Sequence, residues 1–163
     1  MDIIWVADSV RCDLLRHRSE FFPLETGGIL LGYSIVENDR YHWVVTSVTG
    51  PGKKARHSRY RFAPEDKFHI QEAKRHYYHT GGTEYYLGDW HTHPNGSCVT
   101  SILDRLTLYR NARRADHLQF RSLMLIIGGE IRTATYGAYV EKGRQNLLRK
   151  LVACQPLELR FFQ

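Results

Sequence analysis

Tyr85-Tyr86-Leu87-Gly88-Asp89-Trp90-His91-Thr92-His93-Pro94 reads as an extended segment that ends on two metal-capable side chains. Tyr85, Tyr86 and Leu87 favour strands, and Pro94, which has no backbone N–H to give, closes the ladder. Alternate residues of a strand point to one face, so His91 and His93 are aimed at one place and can reach one ion. Asp89 shares that face and is positioned to accept an imidazole N–H behind the ligands. Trp90 reads as core or as groove lining.

Downstream, Asn95 to Thr100 form a polar loop, and the stretch from Ser101 to Asp116 carries Ile102, Leu106, Tyr109 and Ala112 at helical spacing. Ser101 is a natural N-cap. Asp104 follows one turn later, so its carboxylate and the serine hydroxyl both face back toward the strand end. Ser-x-x-Asp also reads as a capping box, a purely structural role. Two histidines and an aspartate leave a fourth position open, as catalytic zinc sites do.

His91-x-His93, seven residues, Ser101, two residues, Asp104 resembles the JAMM motif of the MPN metallopeptidases. That family also places a glutamate upstream beside a glycine-rich strand start, and Leu24-Glu25-Thr26-Gly27-Gly28-Ile29-Leu30-Leu31-Gly32 supplies Glu25. The resemblance covers residues 1 to 140 or so. It implies one MPN (JAMM) domain over residues 1–163, an α/β fold with a mixed central sheet flanked by helices, cytidine-deaminase-like in architecture. It further implies Zn2+ held by His91, His93 and Asp104, with Glu25 and Ser101 as the catalytic pair, and hydrolysis of peptide or isopeptide bonds.

The flavour of Gly88 to Pro94 is similar to stand-alone bacterial deconjugating JAMM peptidases, including those of CBASS antiphage systems and ubiquitin-like operons. Its implication is a protein substrate with an extended carboxyl-terminal tail, ubiquitin-like or CD-NTase-like, cut after that terminus. One departure is Thr100, where many relatives carry proline before the serine. It bears on loop stiffness, since the threonine is not needed as a ligand.

Bulk properties agree with one compact unit: 163 residues, 42% hydrophobic, are enough to bury a single core. No apolar run approaches the roughly 18 residues of a membrane span, and Met1-Asp2-Ile3 does not begin a signal sequence, so a cytoplasmic protein without membrane partners is expected. Cys12, Cys98 and Cys154 are too few and scattered for a disulfide framework. Cys98 lies between ligands and reads either as an incidental loop residue or as a redox-sensitive one.

Elsewhere, Ile3 to Val6 read as a strand and residues 9–20 as a helix with Val10, Leu14 and Leu15 inward. Gly28 to Val36 and Tyr41 to Val48 read as a hairpin. Residues 50–64 read as an exposed loop, and the edge near residues 46–60 as a place where a substrate tail adds a strand. Asp66 to Tyr78 read as a helix with Ile70, Ala73 and Tyr77 on one face, Leu123 to Ile127 as a strand buried on both faces, and Ile131 to Val140 as the next strand. Leu147, Leu148, Leu151 and Val152 read as a helix stripe, and residues 157–162 as a last strand.

The net charge of +6 includes a basic run from Lys53 to Arg61, which raises a second reading, a nucleic-acid-associated protein similar to the RadC family. That family favours Asn between its histidines, where this chain has Thr92, so nucleic acid is the weaker partner. A third reading, a non-catalytic MPN scaffold, conflicts with the full set Glu25, His91, His93, Ser101 and Asp104. A nucleoside deaminase would need a Pro-Cys-x-x-Cys pair that this chain lacks.

Overall fold

Alternation along one strand, Leu123–Gly129, sets the layering. Leu123, Leu125 and Ile127 join a cluster with Val10, Leu14, Leu30, Trp43 and Trp90, while Met124 and Ile126 face the other way and pack with Leu108. The strand is thus buried on both faces, as its unbroken apolar run predicts. The computed structural model describes residues 2–114, 121–141 and 154–163. The helix expected around Leu147 to Val152, and the last residues of the one expected to reach Asp116, lie outside these.

In chain order the elements are Ile3–Ala7 (β1), Asp8–Phe21 (α1), Gly27–Glu37 (β2), Arg40–Val48 (β3), Arg56–His57 (β4), Phe62–Ala63 (β5), Asp66–His79 (α2), Tyr85–Pro94 (β6), Ile102–Arg114 (α3), Leu123–Gly129 (β7), Thr135–Glu141 (β8), Cys154–Pro156 (β9) and Glu158–Phe162 (β10). Eight strands form one sheet in the order β10-β1-β3-β2-β6-β7-β8-β9. β1 runs parallel to β10 and β3, and β6 runs parallel to β7; the other pairings are antiparallel. The sheet is mixed, as expected. α1 covers one face through Val10 and Leu14, and α2 and α3 lie over the other.

Four expectations change. β3 lies between β1 and β2, paired with both over residues 42–45 and with β2 alone up to Val48, so the edge strands of the sheet are β10 and β9 and not the segment near residues 46–60. Residues 50–64 contain a small antiparallel ribbon, β4 with β5, which no periodicity announces because each strand has two residues. β8 begins at Thr135 rather than Ile131, because buried Arg18 holds the backbone ahead of it in a turn. Its guanidinium donates to the carbonyls of Gly129 at 2.8 Å and Ile131 at 3.2 Å, and also to that of Glu130.

The fourth change concerns the helices. Ile70 of α2 and Ile102 of α3, read as members of the apolar faces of their helices, are 56% and 74% exposed. The residues that go inward are His69 and Leu108. Apolar spacing on a helix identifies a face but not what covers it.

Close strand approach explains the glycines at the start of β2. A Cβ on Gly28 would lie 2.1 Å from the Thr49 carbonyl oxygen, backbone that is itself fixed by the Thr49 N–H donating to Ile29 O at 3.1 Å. Gly28→Ala is therefore expected to cost at least the roughly 1–3 kcal/mol of an overpacked core site, read as a lowered urea midpoint.

Candidate metal centre

β6 delivers His91 and His93 to the face of the sheet opposite α1, and α3 delivers Asp104 one residue pair after its start. The three ligand atoms sit close together: His91 Nε2 lies 3.0 Å from His93 Nε2 and 3.1 Å from Asp104 Oδ1, and His93 Nε2 lies 3.4 Å from Asp104 Oδ2. For donors at 2.0–2.1 Å from a tetrahedral ion, the expected ligand–ligand edge is about 3.3 Å. The closest approaches, which use both carboxylate oxygens of Asp104, are of that length, and with one ligand atom from each residue the three lie within 4.8 Å of one another, so among the described residues this is the group able to hold a metal.

Two of the three, His93 and Asp104, are pre-oriented. The Nδ1–H of His93 donates to the Ser97 carbonyl at 3.0 Å, so that in the neutral imidazole Nε2 is the nitrogen that carries the lone pair for an ion, whereas in the imidazolium it donates to Asp104. Asp104 Oδ2 accepts the Ser101 N–H at 2.6 Å, and Ser101 Oγ accepts the Asp104 N–H at 3.2 Å. This reciprocal cap both starts α3 and fixes the carboxylate. Because Ser101 Oγ is the acceptor, its hydroxyl proton remains available to a third group. Thr100, in the position where proline was anticipated, is buried; its hydroxyl accepts Arg105 Nε–H at 3.0 Å, tying the loop to the helix by another means.

Glu25 reaches the cluster from β2's leading end. β2 pairs antiparallel with β6 so that Gly27 faces His91, and two hydrogen bonds continue the register: Thr92 N–H to Thr26 O at 2.8 Å and Thr26 N–H to the buried Thr92 hydroxyl at 3.0 Å. From the other side the ribbon holds Glu25 itself. Ser58 O accepts the Glu25 N–H at 2.8 Å, and His57 Nδ1–H donates to Glu25 O at 2.9 Å. The His57 ring is stacked on Phe21, centroids 4.1 Å apart, and leans on Phe62. Nothing in the sequence pattern pointed to Thr26, His57 or Ser58.

The electrostatics fit a charged cluster out of bulk water. Burial raises the Glu25 carboxyl above the usual range, with His91 and His93 opposing and Asp104 adding to the rise. Burial would also raise Asp104, but hydrogen bonds from His91 and His93 outweigh it and hold the carboxyl far below the usual range. The bond to Asp104 raises His93 against the effect of burial.

One flanking residue, Asp89, is placed differently from expectation, and Trp90 takes the first of its two expected places. The Asp89 carboxylate accepts from the Tyr86 hydroxyl at 2.7 Å and from the Asn111 side-chain amide rather than from an imidazole. It ties β6 to α3, and burial raises its pKa against those two bonds. Trp90 is core, its indole N–H donating to Thr49 O at 3.0 Å. Cys98 is partly buried beside Leu108, Met124 and Ile126, and its carbonyl accepts the Tyr139 hydroxyl at 3.0 Å.

Residues 8–139 match the family described as prokaryotic homologs of the JAB domain. A probable metalloprotease of Sinorhizobium fredii is 34% identical over 128 residues, 78% of this chain and 76% of that protein. A CD-NTase/cGAS isopeptidase of Vibrio cholerae is 31% identical over 104 residues, 64% of this chain and 62% of that protein. A solution structure of a Desulfitobacterium hafniense protein superposes with a TM-score of 0.68 at 19% identity, covering 98% of this chain and 93% of that one, a likeness of fold.

Thr92→Val keeps the side-chain shape and leaves the Thr26 N–H without its partner, so it is expected to cost about 1–3 kcal/mol in urea unfolding. Elemental analysis of His93→Ala should show loss of the bound metal that Thr92→Val retains.

Proposed function

We infer the function from one premise: the chain belongs to the family of prokaryotic homologs of the JAB domain. On that premise it is a metalloprotease-type domain occupying residues 1–163, a zinc-dependent isopeptidase that removes a conjugated protein by hydrolysing the bond after its carboxyl terminus. The observation that carries the reading is the His91, His93 and Asp104 triangle with Glu25 held beside it. Two imidazoles, one carboxylate and an open fourth position form the donor set of a catalytic zinc. When bound, such an ion supplies Lewis acidity, acidifying water and polarising the scissile carbonyl.

The chain's own residues do the rest. Glu25 accepts the proton of the attacking water and returns it to the departing amine, one positioned carboxylate serving as base and then acid. The β2–β6 register and the ribbon keep that carboxylate on the ligands' side of the sheet. Ser101, its lone pair engaged by the helix cap, directs its O–H to the oxyanion that forms on the carbonyl. Asp104 and His93 keep their ligand atoms aimed through the Ser101 N–H and the Ser97 carbonyl.

The names of the Vibrio cholerae relative, a CD-NTase/cGAS isopeptidase, and of an Escherichia coli one so named, 29% identical over 87 residues, support a CD-NTase-type conjugate as substrate; we extend the reading to ubiquitin-like conjugates and to a bacterial antiphage conjugation system. Three free cysteines suit the reducing cytoplasm that such a system occupies. Among the described residues no helix is long and apolar enough to cross a membrane.

Glu25→Gln is expected to retain the metal and lose at least about 10²-fold in turnover of a carboxyl-terminal fusion or lysine conjugate. Ser101→Ala should lose a comparable factor, about 10²-fold, in kcat with little change in KM. Cleavage by Glu25→Gln at the wild-type rate would sink the mechanism.

A further inference from the structure

The apolar faces of α2 and α3 that turn away from the core look instead onto the space in front of the metal centre. Ile70 and Ala73 of α2 lie on one wall of a cleft of about 1810 Å³, and Val99, Ile102, Leu103 and Leu106 on the other. Small-molecule sites are typically about 300–1,000 Å³. This cleft has room for a polypeptide segment. Ile102, Leu103 and Val99 are 74%, 66% and 56% exposed, and contiguous apolar surface of that kind marks a binding site.

Charge on the walls narrows the occupant. Four of the eight charged Asp, Glu, Lys and Arg residues that line the cleft are basic, Arg59, Arg61, Lys74 and Arg110, and all four are exposed. The acidic ones divide differently. Glu25 and Asp104 belong to the metal cluster, and Asp89 is engaged by Tyr86 and Asn111, which leaves Asp66 as the acidic residue exposed along the walls. Away from the reacting centre, an entering segment therefore meets apolar surface flanked by positive charge.

We propose that the cleft between α2 and α3 selects an extended polypeptide segment in which apolar side chains alternate with carboxylates. The ribbon tip Arg59–Tyr60–Arg61 is the specificity element. An extended strand presents alternate residues to opposite sides, so one row of side chains settles on Ile70, Ile102 and Leu103 while the other row meets the arginines. The backbone of the tip is held independently of its side chains, by Ser58 N–H donating to Arg61 O at 2.9 Å, so the two arginines are free to contact a ligand. This inference rests on the peptidase reading for the register of the segment over the metal, and not for its binding.

Its test uses fluorescence anisotropy with the full chain carrying Glu25→Gln and three labelled peptides of equal length, alternating Leu with Glu, with Lys or with Ser. The Leu–Glu peptide should bind at least about tenfold more tightly than the other two, with an affinity that falls as salt rises. The double variant Arg59→Glu and Arg61→Glu, at exposed positions and checked for an unchanged unfolding midpoint, should reverse the preference toward the Leu–Lys peptide. Ile102→Ser, which removes apolar surface without adding charge, should weaken the Leu–Glu and Leu–Ser peptides alike.

Equal affinity for the three peptides, or a preference that survives the double charge reversal, overturns the proposal. So does tighter binding of a DNA duplex of matched charge with a steep salt slope, which would assign the arginines to phosphates. The two readings fail separately. Selective peptide binding with no hydrolysis of any conjugate by the wild-type chain removes the peptidase, and hydrolysis without charge selectivity removes the specificity element.

Discussion

The site depends on one register: the leading end of β2 lies antiparallel to the trailing end of β6, locked by the Thr26 and Thr92 hydrogen bonds at 2.8 and 3.0 Å. A slip of one residue would turn His91 and His93 to the α1 side and bring Trp90 and Thr92 to the cleft. Every feature around that point defends against the slip. Gly27 and Gly28 let the backbones close up where any side chain would strike Trp90 or Thr49. Trp90 fills the opposite face and donates to Thr49, which in turn is bonded to Ile29.

The ligand set is robust for a related reason. Asp104 is positioned by the same pair of hydrogen bonds that begins α3, so the carboxylate cannot leave without uncapping the helix. Arg18, reaching from α1 to the backbone of the β7–β8 turn, fixes the neighbour against which the ligand loop is docked: Asn95 N–H donates to Gly129 O and Gly129 N–H to Gly96 O. Buried Arg18 thus supports the metal face from the far side of the sheet without touching it.

The candidate ligands were legible in the sequence because they are local: a period of two on a strand and a turn of helix after a cap place three donors with no knowledge of topology. Glu25 became legible only through the family pattern, since a lone glutamate before two glycines carries no periodic signal. The clamp on it by His57 and Ser58 was not legible at all. It joins strands of two residues to a turn across 32 positions, where propensity has nothing to act on. What the apolar faces of α2 and α3 meet was not legible for a different reason. Ile70, Ile102 and Leu106 have the spacing of core residues, and spacing cannot distinguish a face that meets a sheet from one that meets a cleft.

The short ribbon has a consequence for linkage. Its inner side holds the backbone of Glu25 through Ser58 and His57, while its tip places Arg59 and Arg61 on the cleft wall. A movement of the ribbon backbone is passed directly to the Glu25 backbone, which it bonds through both the N–H and the carbonyl. On the peptidase reading, a substitution within residues 56–63 that moves the ribbon backbone therefore acts on the position of Glu25 as well as on the cleft wall.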